Sequence, residues 1–118
     1  MPINLADSPI FGALYGSDAM RAIFDDRAFF QRMLDVEAAL ARVQARLGII
    51  PAEAAAAITA AADVANLDTA EMAASLANVG YPVVGLVAGL SRAAGEHGGW
   101  THWGATTQDI MDSATALQ

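Results

Sequence analysis

Two residue types with distinctive chemistry, cysteine and lysine, are absent from this 118-residue sequence. Without cysteine the chain has no disulfide, no thiolate nucleophile and no cysteine-based zinc site, and its composition gives no support to secretion. Its strong cations are six arginines, against 13 acidic residues, which gives a net charge of −7. Because phosphate binding requires clustered basic residues, this balance excludes an electrostatic nucleic-acid surface, and we expect no nucleic-acid partner.

Long hydrophobic runs are also missing. The most apolar run, from Val83 to Leu90, is much shorter than the roughly 20 residues that a membrane-spanning helix needs. The N-terminal residues do not show the basic segment and apolar core of a signal peptide. We therefore expect a soluble, cytoplasmic protein without a membrane partner.

Hydrophobic residues are nevertheless abundant, at 55%, whereas charged residues make up only 16%. This composition excludes a solvated disordered chain and favours large buried or subunit-facing surfaces, so that we expect an oligomer. The length is sufficient for one small domain with a real core and too short for two comfortable ones.

Strand-like alternation and internal repeats do not occur, and the sequence therefore predicts an all-α fold. Capping residues, glycines and prolines divide the chain into an ordered arm, residues 1–16, and six helices. The predicted helices cover residues 18–24, 26–47, 51–66, 69–78, 82–96, and 107 onwards. Asp68 and Glu71 have the spacing of a capping box at the start of the fourth helix.

The second predicted helix has the clearest apolar periodicity. Its large apolar residues recur at alternating steps of four and three, which predicts one core-facing stripe that ends at a glycine stop, Gly48. We interpret Glu37 in this helix as a solvated or salt-bridged residue. The stripe consists of Phe29, Met33, Val36, Leu40, Val43 and Leu47.

Two features of the fifth predicted helix indicate packing and capping. Gly85 and Gly89 are four residues apart, a spacing that in a soluble protein is typical of a close helix crossing. His97 follows at the predicted helix end, where a partly charged imidazole is favourable, and we interpret it as a C-terminal capping residue.

The stretch from Gly99 to Asp109 has the chemistry of a binding loop. Thr106 and Thr107 open the last helix, whose free N–H groups and dipole favour a bound anion such as a carboxylate. His102 adds a donor that titrates near neutral pH. The sequence therefore predicts an anion-binding site here.

The neighbours of this site have supporting roles in the prediction. Trp100 and Trp103 flank His102 and are expected to shield the site from water. Asp109 is expected to cap the helix or support the site, because a carboxylate would repel an anionic substrate. The alternative interpretation is a capped helix start beneath two core or interface tryptophans, and the spacing alone leaves both open.

Residues 102–109, His-Trp-Gly-Ala-Thr-Thr-Gln-Asp, resemble the first signature region of the fumarase/aspartase superfamily, in particular the form found in bacterial 3-carboxy-cis,cis-muconate lactonizing enzymes. Segments 19–24, 34–41, 48–51 and 81–87 follow in the order that these enzymes show. The sequence departs from the pattern at Thr107, where a serine is usual. Tyr81 stands near a position where adenylosuccinate lyases carry a histidine.

This resemblance implies an architecture and an assembly. Residues 1–105 would form the N-terminal helical domain with its arm, and residues 106–118 would begin the first long helix of a central bundle, interrupted here. In this superfamily three signature regions from three subunits meet at one site, and we expect a homotetramer. The resemblance implies no cofactor, no metal and a small dicarboxylate or tricarboxylate substrate.

The resemblance also implies roles for residues. His102, Thr106, Thr107 and Gln108 would bind the substrate, and Trp103 and Asp109 would support them from behind. The second and third signature regions, which carry the main proton-transfer groups, do not occur in these 118 residues, so that the catalytic residues stay unassigned and the chain alone is expected to be inactive.

The implied activity is cycloisomerisation of 3-carboxy-cis,cis-muconate to 4-carboxymuconolactone in protocatechuate catabolism. The alternatives are a lyase of the adenylosuccinate lyase type and a catalytically silent helical interaction fragment.

Overall fold

Side-chain caps mark the start of several helices in the computed structural model, which describes residues 4–118. Ser17, Asp25 and Asp68 each accept a backbone N–H from the first turn of the helix that follows. No strand occurs among the described residues, and the predicted all-α fold is confirmed. The α-helices are α1 (Asp18–Ile23), α2 (Asp26–Arg46), α3 (Ala52–Ala61), α4 (Thr69–Val79), α5 (Pro82–Ala93) and α6 (Thr107–Leu117).

The longest helix, α2, lies at the centre of the fold and packs along α3 on one side and α6 on the other. Helix α5 packs across α4 and also contacts α2, α3 and α6. Large side chains from four helices are fully buried where these elements meet, and truncating one of them to alanine would cost about 2–5 kcal/mol. These side chains are Met33, Leu34, Ile58, Leu86, Leu90 and Ile110.

The predicted core stripe of α2 is only partly correct. Val43 and Leu47 are 40% and 70% exposed, whereas Leu34, Ala38 and Ala41 are buried. The alanines allow α3, which is itself rich in alanine, to approach α2 closely. Because of this contact, the buried face of the C-terminal half of α2 differs from the predicted stripe. The predicted stop is correct: Gly48 has a φ of +71°, and Ile49 N–H donates to Gln44 O at 2.9 Å, as in a Schellman motif.

Two predicted helices are shorter than expected. Helix α3 ends at Ala61 rather than near residue 66, because the Gln31 side chain in α2 bonds both Ala62 O and Val64 N–H outside the helix. Helix α5 ends at Ala93, and a 3-10 segment, Gly95–Trp100, replaces its predicted last turn. His97 lies in that segment with Nε2 3.7 Å from Glu96 Oε1, so that it is not the predicted helix cap.

Gly85 marks a close crossing of α5 with α4, as predicted, whereas Gly89 lies against Leu67 in the segment before α4. A Cβ atom at Gly89 would lie 2.6 Å from Leu67 Cδ2, and one at Gly85 would lie 3.0 Å from Ser75 Cβ in α4. Both distances are shorter than normal contacts, and larger residues at these positions would push α5 away from α4 and from the segment before it.

Residues 4–16 of the predicted arm form two 3-10 turns, Leu5–Asp7 and Gly12–Leu14, and the rest of the arm lies outside the described residues. The Arg21 guanidinium in α1 donates to Ala6 O at 2.9 Å and to Gly12 O at 2.8 Å, which holds the two turns together. Several large apolar side chains of the arm are about half exposed or more. They are Leu5, Ile10, Phe11, Leu14 and Tyr15.

Among the helices of residues 4–118, none combines the length and the apolar character needed to cross a membrane. Helix α6 packs on α2 within the same core, and the division of the chain at residues 105 and 106 stays a prediction.

Candidate functional site

The N-terminus of α6 is capped by the carboxylate of Asp109. Thr106 is the N-cap in an extended conformation, and its backbone N–H donates to Asp109 Oδ2 at 2.9 Å. The N–H groups of Thr107 and Gln108 occupy the first two helical positions, where no carbonyl within the helix can accept them. The helix therefore presents backbone donors at its start, while the carboxylate of Asp109 is engaged in capping.

The loop before α6 is fixed by a histidine in an unusual backbone conformation. Among residues 4–118, His102 is the only non-glycine residue with a positive φ, at +60°. Its ring Nδ1 lies 2.6 Å from Oε1 of Glu37, in the middle of α2. The side chain of His102 is 19% exposed and that of Glu37 only 1% exposed. The pair joins two segments that are 65 residues apart in sequence.

Glu37 is thus buried and paired with His102, so that of its two sequence interpretations the salt-bridged residue agrees with the structure and the solvated residue is wrong. Burial raises the pKa of the Glu37 carboxyl above its ordinary value of 4.5, while the hydrogen bond and charge of His102 partly offset this effect. The sequence carried only a partial signal for this burial: Met33 and Ala41, one turn away on either side, are apolar. The partner of Glu37 had no such local signal.

The two tryptophans contact each other beside the loop. The rings of Trp100 and Trp103 are tilted at 55° with their centroids 4.9 Å apart, a favourable aromatic geometry. Trp100 packs against the core, whereas Trp103 is 48% exposed. Gln44 Nε2 in α2 donates to the carbonyl of Trp103 at 2.6 Å, which ties the loop to α2 a second time.

A groove of about 440 Å³ runs between α2 and α6 below this loop. Trp103 and Asp109 line it together with apolar residues such as Val36, Leu40 and Ile110, and no basic side chain is among the described lining residues. Such a groove does not suit an anionic ligand. The predicted binding residues lie outside the groove. They are His102, Thr106, Thr107 and Gln108.

Two polar side chains near the loop differ in their hydrogen bonding: that of Gln108 has a partner and that of Thr101 has none among the described residues. The Gln108 side chain donates to Asp112 Oδ1 one turn further along α6, so that it is held on the helix surface. The Thr101 hydroxyl is buried and has no hydrogen-bond partner within the part of the chain that the structure describes. Buried hydroxyls normally have partners, so this group marks the loop as a place where water or another polar group would be favourable.

Comparison with family models gives no match. A 3-carboxy-cis,cis-muconate cycloisomerase of Bradyrhizobium diazoefficiens is 44% identical over 119 residues, which cover 98% of this chain and 26% of the relative. An adenylosuccinate lyase of Pyrococcus horikoshii is 42% identical over 103 residues, which cover 87% of this chain and 23% of the relative.

A solved structure supports the same relationship. The 3-carboxy-cis,cis-muconate lactonizing enzyme of Pseudomonas putida superposes with a TM-score of 0.87 at 40% identity, and the match covers 93% of this chain and 26% of that one. The chain therefore spans about a quarter of the length of these relatives. Agreement in both sequence and fold over nearly the whole chain shows that it belongs to the fumarase/aspartase superfamily.

Proposed function

We propose that the protein to which these residues belong is a cycloisomerase that converts 3-carboxy-cis,cis-muconate to 4-carboxymuconolactone. The chain would supply one wall of an active site shared between the subunits of a homotetramer. The observation that carries this proposal is the folded geometry of residues 102–109, a segment in which free helix N-terminal donors follow a histidine that is hydrogen-bonded to the buried Glu37. The similarity to two muconate enzymes supports the choice of reaction.

The chemistry of lactonisation requires donors of the kind found at the start of α6. A carboxylate oxygen of the muconate forms a bond to one carbon of a double bond, and the adjacent carbon takes up a proton. Negative charge develops on the carboxylate attached to that adjacent carbon, and preorganised N–H and O–H groups stabilise it. The backbone N–H groups of Thr107 and Gln108 are such groups, and the Thr107 hydroxyl and the His102 ring belong to the same segment. The proton donor itself would lie outside this chain.

The second candidate function is a lyase of the adenylosuccinate lyase type, which the relative from Pyrococcus horikoshii favours. Such a reaction also moves a proton on the carbon next to a carboxylate and would use the same donors. Tyr81 argues against a lyase of this type, because adenylosuccinate lyases carry a histidine near this position according to the resemblance.

Steady-state assays of the complete gene product on 3-carboxy-cis,cis-muconate and on adenylosuccinate separate the two functions. We expect the complete protein to form the lactone, which is measured as loss of the diene absorbance, and not to convert adenylosuccinate. The opposite preference would replace the proposal by the lyase. A folded complete protein that converts neither substrate would favour the silent interaction fragment. The 118-residue chain alone is expected to be inactive, and light scattering of the complete protein is expected to show a tetramer.

A further inference from the structure

The contact between Glu37 and His102 is an unusual feature for a helical core. Glu37 occupies a fully buried position of α2 between Met33 and Ala41, where an apolar side chain would pack without an electrostatic cost. Burial of a carboxylate is expensive, and it is tolerated when a well-placed partner compensates it. Here the partner is Nδ1 of His102 at 2.6 Å.

The histidine is also held at a cost. A φ of +60° is uncommon for a residue with a side chain, and such conformations persist when surrounding contacts impose them. Gln44 fixes the carbonyl of the next residue, Trp103, and Glu37 fixes the ring. Two contacts from α2 therefore act on adjacent residues of the loop and determine both its path and the orientation of the ring.

We propose that Glu37 is a positioning residue for the site: by engaging Nδ1 of His102, it leaves Nε2 as the one ring nitrogen that a ligand can use. This inference rests on the proposed function, in which the ligand is a substrate carboxylate. It extends that function, because it assigns a role to a residue of α2 that lies outside the 102–109 segment.

The position of the shared proton does not alter this result. When Glu37 is ionised it accepts Nδ1–H of a doubly protonated ring, and when Glu37 is protonated it donates to Nδ1 of a neutral ring. In both of these arrangements Nε2 carries a hydrogen and donates to a carboxylate, whereas with one proton fewer the ionised Glu37 accepts Nδ1–H of a neutral ring and Nε2 is an acceptor; Nε2 is the ring nitrogen left for a ligand in every case. Without Glu37 either ring nitrogen is free to take the proton or turn toward the ligand.

The first measurement is spectroscopic and does not require activity. The 118-residue chain contains two histidines, His97 and His102, so that selective ¹⁵N-histidine labelling gives two sets of ring signals. We expect the Nδ1 signal of His102 to show hydrogen bonding in the parent protein and to lose it in Glu37→Leu. The signals of His97 serve as the internal control, and the exposed Glu53→Gln in α3 is the matched control variant. Unchanged His102 signals in Glu37→Leu would overturn the inference.

A conservative variant keeps the test decisive where Glu37→Leu does not fold. Glu37→Gln retains the shape and one hydrogen bond but removes the charge, and we expect it to fold and to shift both ring signals of His102. Ring signals identical to those of the parent protein would contradict a positioning role for the carboxylate.

The second measurement uses the complete protein and its substrate. We expect Glu37→Gln to raise KM roughly tenfold with a smaller change in kcat, because it removes one charge-assisted hydrogen bond behind the binding group. Glu53→Gln is expected to leave both constants unchanged. Altered ring signals with unaltered kinetics would show a purely structural pair and overturn the inference. If the complete protein turns over neither substrate, the proposed function fails, while the ring signals still decide whether Glu37 sets the histidine.

Discussion

The two neighbouring glycines before the loop provide a sharp test of how the site is built on α5. A Cβ atom at Gly98 would lie 2.1 Å from the carbonyl oxygen of Ser91 and 2.7 Å from its hydroxyl oxygen. The Ser91 hydroxyl donates to Gly98 O at 2.7 Å, so that the 3-10 segment lies directly on the last turns of α5. A Cβ at Gly99 would have no atom within 4 Å among the residues described, which makes Gly99→Ala a matched control.

The expected cost of Gly98→Ala follows from three contributions. Overpacking costs about 1–3 kcal/mol, and the upper end applies because a backbone carbonyl in a helix has no room to move aside. Loss of the Ser91 hydrogen bond adds about 1 kcal/mol. Alanine returns about 0.4–1 kcal/mol by restricting the unfolded chain. The sum is a loss of about 3 kcal/mol, or on the order of 10 °C in Tm for a domain of this size. Gly99→Ala receives only the last contribution and is expected to be neutral or slightly stabilising.

Urea and thermal unfolding followed by circular dichroism measure both variants against the parent protein. Ser91→Ala isolates the hydrogen bond and is expected to cost about 1 kcal/mol by itself. Equal stability of Gly98→Ala and Gly99→Ala would refute the close approach of the segment to α5.

Three further predictions concern the site and the surface. If the threonine pair binds a carboxylate, Thr106→Ala in the complete protein should lower kcat/KM of the proposed reaction roughly ten- to hundred-fold. A loss of only about 1 kcal/mol of stability with unchanged kinetics would support the capped-helix interpretation. Burial raises the pKa of Glu37, so that the contribution of this carboxyl to stability is complete below pH 4.5 and is lost as the pH rises through the folded-state pKa. Glu37→Gln has no such carboxyl and should therefore lose less stability than the parent protein over that pH range. Parallel curves of stability against pH for the two proteins would contradict this prediction. The ion pair of Arg92 and Glu71 is more than half exposed on both sides, and Arg92→Ala should change stability by less than about 1 kcal/mol, as measured by urea unfolding.

The local features of the fold could be predicted from the sequence because their physical causes are local. A serine or aspartate that caps the first turn acts within three residues, as Ser17 and Asp68 do, and Gly48 acts through its own φ. The start of α6 at Thr107 follows from Thr106 in the same way. The helix ends were predicted less well, since Gln31 ends α3 from a different helix.

The candidate site likewise has features with local causes, which could be predicted, and features that depend on helix packing, which could not. Its donors at the start of α6 were predictable, because an N-terminus exposes them in any context. The engagement of Asp109 as a cap follows from the same short spacing. The groove below the loop, by contrast, is shaped by Val36 and Leu40 of α2, and the sequence assigned these residues to the core.

The all-α class, most helix starts and the backbone donors at the start of α6 follow from the sequence alone, since capping, helix propensity and left-handed glycines act over a few residues. Which face of α2 is buried, and the contact of Glu37 with His102, depend on the packing of the helices. Those outcomes depend on which helix covers which surface, and a carboxylate in an amphipathic helix has the same local sequence whether it faces water or a histidine 65 residues away.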